Sequence, residues 1–174
     1  MKKLTIFILA VLLIFNYSCI TDQNKYKETD IFEDYETENG FTVLHIPPVL
    51  FKIVISASEE SDLSSKELTD KIELIKLMFF EEKGNTMKMK DIKDSMNAKV
   101  SDFNYNLLTR IAEKNNDISI YVIDIDKVIH EVLITIASEN SYVGINLIGN
   151  FTQDEIMKVY KAINMQKIQN FDKN

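Results

Sequence analysis

Little in this chain can form a special bond or force a special turn. Cys19 is the only cysteine in 174 residues, so no intramolecular disulfide can form and the fold must rest on its core. Proline occurs only at 47 and 48, and glycine four times, so few turns demand an unusual backbone. Arg110 is the sole arginine, which excludes clusters of guanidinium groups for phosphate or carboxylate recognition. No G-x-S-x-G nucleophile turn and no Gly-rich phosphate loop is present. Positive charge is also short: 20 Lys and Arg stand against 27 Asp and Glu, for a net charge of −7. That balance argues against nucleic acid as a partner, which requires a basic face.

What is present begins at the N-terminus. Lys2-Lys3 form a positive start, and Leu4 to Phe15 is an apolar run broken only by Thr5. Twelve such residues are too few to span a bilayer, which takes about 20. They fit the apolar stretch of a cleaved signal peptide, about 7–15 residues long. Ser18, a small residue, directly precedes Cys19. This arrangement resembles the signal of bacterial lipoproteins, in which the thiol receives a diacylglyceryl group and cleavage leaves the cysteine as an acylated N-terminus. Asn16 departs from that pattern, which usually has an aliphatic residue three positions before the cysteine. A plain secretory signal cut near Ser18 is the alternative. The resemblance implies a cell-envelope location, with the membrane held through diacylglycerol and palmitate on Cys19. Ile20 in place of aspartate resembles the pattern that sends lipoproteins to the outer membrane. Losing residues 1–18 removes Lys2 and Lys3 and no acid, so the charge would become −9. Such a chain cannot grip anionic lipid by charge, and the anchor has to be lipid. Two or three acyl chains hold stably, at about 0.8 kcal/mol per buried methylene.

Residues 19–40 carry the lipidated cysteine and then seven acids against two lysines, with few apolar residues between them. The expectation is a flexible, self-repelling tether. A single domain is expected over 41–167, with a C-terminal tail at 168–174. Within the domain Phe41 to Ile46 reads as a strand, stopped by Pro47-Pro48, which can open a helix through Ala57. Ser64-Ser65-Lys66-Glu67 has the form of a capping box opening a short helix. Leu74 to Glu81 reads as a strand, and Met89, Ile92, Met96, Val100 and Phe103 share one helical face. The period then switches to 2 for four strands ending near Gly149, joined by short polar turns. Thr152-Gln153-Asp154-Glu155 is a second capping box before a terminal helix. The expected class is α+β: a two-layer sandwich, mostly antiparallel sheet with a final four-strand meander, helices packed on one face.

This order of elements is similar to that of a Bacteroidetes-type lipoprotein family, domain of unknown function 4252. The similarity lies in the lipoprotein signal, the first strand Phe41 to Ile46, the segment Lys71-Ile72-Glu73-Leu74-Ile75-Lys76-Leu77, the run Val128 to Ile134, and Val143 to Gly149 before a capped helix. It covers Phe41 to about Met165 and supplies no catalytic residue.

Candidate chemistry is sparse. His45 and His130 are the only imidazoles; each is expected to be satisfied by a carboxylate or carbonyl, since no base partner or metal set stands out. Asp117, Asp124 and Asp126, with Asn115 and Asn116, could offer oxygen ligands around one hairpin, but they lack the glycine and closing glutamate of a calcium loop. Surface turn chemistry is the plainer reading. The many acids allow any pair for a hydrolase and single out none. Met78, Phe79 and Phe80, with Met87 and Met89 beyond, could form an adaptable surface, and adjacent Phe79 and Phe80 must face opposite ways. Asn150-Phe151-Thr152 matches a glycosylation sequon, though Thr152 serves better as a cap. The expectation is therefore a lipid-anchored, non-enzymatic accessory module that binds a protein of the envelope, with no cofactor, no metal and no catalytic residue. A module for a small ligand or cation, and an acid-pair hydrolase, are the alternatives.

Overall fold

The computed structural model describes residues 26–57, 68–112 and 115–157. The expected signal segment, Cys19, the expected capping box at 64–67 and the expected tail lie outside the described residues. Among the described residues there are six strands: β1 (Phe41–Ile46), β2 (Ile72–Glu81), β3 (Asn106–Ala112), β4 (Asp117–Ile125), β5 (Val128–Ala137) and β6 (Ser141–Phe151). They form one antiparallel sheet in the order β1-β2-β6-β5-β4-β3. The last four strands are the expected meander. Its final strand then docks against β2, with Phe79 opposite Val143. The protein is mixed α+β and mostly sheet.

Helix α1 (Pro48–Ala57) follows β1, and helix α2 (Met89–Asp102) joins β2 to β3. The second connection must cross most of the sheet, because β2 and β3 are four positions apart. Strand spacing of about 4.8 Å makes that about 19 Å, and a 14-residue helix is about 21 Å long. The helix stops at Asn104, which takes a left-handed backbone (φ 58°), while the Tyr105 N–H reaches back to the Val100 carbonyl at 2.9 Å. At the β4–β5 turn Asp126 and Lys127 both have positive φ, as a two-residue hairpin of this hand requires. Gly149 is needed for close approach: a Cβ there would sit 2.2 Å from the Lys71 carbonyl oxygen.

Pleating sends alternate residues to opposite faces, and each face carries its own core. On the first, Met89, Ile92, Met96 and Val100 of α2 pack with Met78, Phe80, Leu133 and Tyr142. On the second, Ile75, Ile118, Ile120, Val132 and Ile134 pack with Phe151 and Ile156. Ile156 belongs to the helical residues 153–157, and Leu68, from helical residues 68–71, packs there too. The expectation of helices on one face therefore fails: α2 covers one face and these two short pieces cover the other. The reason is that strands β2, β4, β5 and β6 are not strictly alternating but carry near-continuous apolar runs. They place apolar residues on both faces, so both need cover.

The flexible tether also fails where it can be seen. Residues 26–35 are held against the first face. Ile31, Phe32 and Tyr35 are buried in its core, and Glu33–Tyr35 form a 3-10 turn. The folded unit thus begins at least as early as Tyr26, not at 41. Counting acids hid this, because the acids point outward while every third or fourth residue is an anchor. Thr152 does cap the terminal helix: its N–H donates to Glu155 at 2.8 Å and its hydroxyl accepts from the Glu155 N–H at 3.4 Å.

Candidate functional site

The most concentrated chemistry lies under residues 26–30. Glu131 is fully buried near the start of β5. A bulge between Ile129 and Glu131 turns it onto the first face. There its carboxylate accepts from five donors. The Tyr26 hydroxyl (2.8 Å) and the Thr29 N–H (2.5 Å) reach Oε1. The Thr29 hydroxyl (2.8 Å), the Asn146 amide (2.8 Å) and the Tyr105 hydroxyl reach Oε2. Lys76, only 3 % exposed, completes the clamp. Its ammonium donates to the Thr29 carbonyl at 3.0 Å and pairs with Glu28 and Asp30 at 3.3 Å each. Tyr26 also stacks on His130, with ring centroids 4.6 Å apart. Further along, the Tyr35 and Ser95 hydroxyls meet at 2.8 Å, and Lys99 pairs with Asp34 at 2.5 Å.

These contacts fix a strap of chain to the sheet. Burial pushes the Tyr105 and Tyr26 hydroxyls well above the usual tyrosine range, and the Glu131 charge beside them adds to it. Every polar group of Thr29 and both carboxylate oxygens are engaged inside the protein. The carbonyl oxygen of Asn146 is the one buried side-chain acceptor without a partner among the described residues. The cluster is therefore a fastening. It presents no second carboxylate across a cleft, as a hydrolase pair would need. Sequence reasoning passed over Glu131. The available signal was a lone acid inside the apolar run Ile129 to Ala137.

The other candidates separate. Asp117 lies at one end of β4 and Asp124 and Asp126 at the other, so they are no cluster around one hairpin. The nine-residue strand between them keeps the two ends about 25 Å apart. Asp117 is spent on Arg110, whose Nε lies 2.8 Å away. That hydrogen bond holds the Asp117 carboxyl below the usual range. Among the described residues no three His, Cys, Asp or Glu converge as a metal site. An open depression of about 340 Å³ beside Lys93, Asn115, Asn116, Asp117 and Glu139 has no enclosed polar focus. His45 pairs with Glu36 at 2.9 Å on the surface. Met78 and Phe80 are core residues, so the methionine surface does not form; Phe79, on the second face, is 40 % exposed.

Phe79 belongs to an apolar patch of the sheet that is left uncovered among the described residues. It lies beside Thr42 of β1, and Leu77 next along β2 lies beside Leu44, itself exposed. Strand β1 is an edge, six residues long, with no proline or lysine to block pairing. The opposite edge, β3, is interrupted by a bulge between Leu107 and Thr109. The β1 edge and the Leu44–Phe79 patch could take an added strand and its side chains. Among the described residues no helix is long and apolar enough to cross a membrane.

Comparison with known proteins gives one result. The family model described as Domain of unknown function (DUF4252) matches residues 35–159. No curated protein matches the chain, and no solved structure does.

Proposed function

We propose, from the premise that this chain belongs to the family Domain of unknown function (DUF4252), that it is an exported lipoprotein held in the cell envelope through Cys19. Its domain is a non-enzymatic module that binds an envelope protein. That family description names no reaction, so no activity is carried over. The carrying observation is the β1 edge with exposed Leu44 and Phe79 beside it. An unblocked edge offers main-chain donors and acceptors, and the apolar pair offers side-chain selectivity. The finer reading of the fold is that of two apolar layers on one sheet, one closed by the strap and α2, the other left open near β1.

The test is a photoreactive residue at Leu44 or Phe79 in the full chain, crosslinked in intact cells and read by mass spectrometry. A discrete envelope protein should appear at both positions and fade in Cys19→Ala, which misplaces the domain. Recovery of the bait alone at both positions, at low and high salt, counts against the reading.

A further inference from the structure

The exposed apolar residues are not spread evenly over the surface. Strand register defines two ends of the sheet. One holds the end of β1, the start of β2, the β4–β5 turn and the start of β3. Of the eight large apolar residues exposed among the described ones, six lie at this end: Val49, Leu50, Ile53, Leu107, Ile125 and Val128. Val49 and Leu50 are 61 % and 53 % exposed in the first turn of α1. The Lys52–Asp70 pair (2.9 Å) fixes that turn beside the start of β2. Ile125 and Val128 flank the tip of the β4–β5 hairpin. Helix α1 has only Lys52 and Ser56 as polar members, an unusual composition for a helix with an outward face.

The strap leaves the domain at the same end. Tyr26 stacks on His130, two residues from Val128. Tyr26 stands seven positions after Cys19, and a fully extended chain of that length reaches at most about 25 Å. Acyl chains on Cys19 would therefore hold this end within about 25 Å of the bilayer, not at the distance a 21-residue tether allows.

We propose that this end of the domain lies on the lipid bilayer, with Val49, Leu50, Ile125 and Val128 entering the interface. The proposal rests on the lipid-anchored reading of Cys19. Charge does not drive the contact. Asp124 and Asp126 offset Lys127, and Lys52 is paired with Asp70, so the contact should form on uncharged phosphatidylcholine and resist salt. Lys127 can lay its stem along the interface with its ammonium in the headgroups.

The test uses the full lipidated chain in phosphatidylcholine vesicles containing a doxyl-labelled quencher lipid. An environment-sensitive fluorophore is placed at Leu50→Cys, Val128→Cys or, at the far end, Glu139→Cys. Quenching of about twofold or more is expected at 50 and 128, and none at 139. Leu50→Glu should relieve the quenching at 128 without releasing the protein from vesicles. Vesicle-bound protein with no quenching at 50 and 128, or with equal quenching at 139, overturns the proposal alone; shielding without quenching does the same and indicates a protein cover. The mass of the N-terminal peptide reads the anchor separately. A chain without acyl groups that stays in solution overturns both readings.

Discussion

At the scale of single residues, the decisive position is Glu131. Sinking a carboxylate into a sheet costs several kcal/mol, and the group persists only where it is hydrogen-bonded on all sides. Five donors from Tyr26, Thr29, Tyr105 and Asn146 meet that condition. The consequence is asymmetric. Glu131→Ala strands five buried donors at once and should cost about 3–5 kcal/mol, the usual range for breaking a buried charged pair. Glu131→Gln keeps the shape and one acceptor oxygen, and the three hydroxyls can turn to accept from its amide. Its cost should be smaller, about 1–3 kcal/mol. Urea unfolding followed by circular dichroism gives both values. An Ala variant as stable as the Gln variant would show that the five hydrogen bonds are not what holds the strap.

At the scale of elements, the strap behaves as a seventh piece of the layered fold although it contains no strand. Phe32 seats against Gly144, where a Cβ would come within 2.7 Å of its ring. Tyr35, Phe41 and Phe80 continue as a ring series with centroids 4.7 and 4.8 Å apart. A chain beginning at 41 would lose Ile31, Phe32 and Tyr35 from the core, strip Lys76 of Thr29, Glu28 and Asp30, and leave Glu131 with two of its five donors, Tyr105 and Asn146. It should fail to unfold cooperatively, whereas a chain beginning at 26 should give a single urea transition. A cooperative transition from the shorter chain would restore the boundary at 41. The strands and α2 were legible because period and caps are local: Met89, Ile92, Met96 and Val100 declare their face without knowing what lies under it. The meander was legible for the same reason. The strap was not, since its anchors matter only once Lys76 and Glu131, 46 and 102 residues away from Asp30 and Thr29, arrive beneath it. The false Asp117–Asp126 cluster is the converse case. Nearness in sequence suggested nearness in space, and an extended strand denied it. Cover on both faces was missed because the one-sided expectation counted helices and not the apolar residues on each side of β2, β5 and β6.

At the scale of the whole molecule, the buried hydroxyls set how the fold answers to alkaline pH. Tyr26, Tyr35, Tyr105 and Tyr142 are all pushed above the ordinary tyrosine value near 10, in each case first by burial. Glu131 adds its charge at Tyr26 and Tyr105, while Lys99 partly opposes the shift at Tyr35. A raised value in the folded state means that the proton is held more tightly folded than unfolded. The stability tied to these protons is therefore intact below pH 10. It falls as pH rises past 10, because the unfolded chain can ionise and the folded chain cannot. For Tyr105, the best enclosed of the clamp hydroxyls, the loss should approach about 1.4 kcal/mol for each pH unit above 10. Thermal unfolding between pH 7 and 12, with tyrosinate absorbance followed in parallel, reads both sides of this linkage. The melting temperature should stay level to about pH 9 and then drop, and the late tyrosines should ionise only as the protein unfolds. Tyr105→Phe should be less stable at neutral pH yet show a shallower alkaline decline. A parallel decline in the variant, or tyrosinate appearing in the folded protein near pH 10 at all positions, would mean that the strap opens to solvent long before the sheet does. Under the proposed anchoring through Cys19, the domain would then swing on a leash longer than about 25 Å, and its end would no longer be confined near the bilayer.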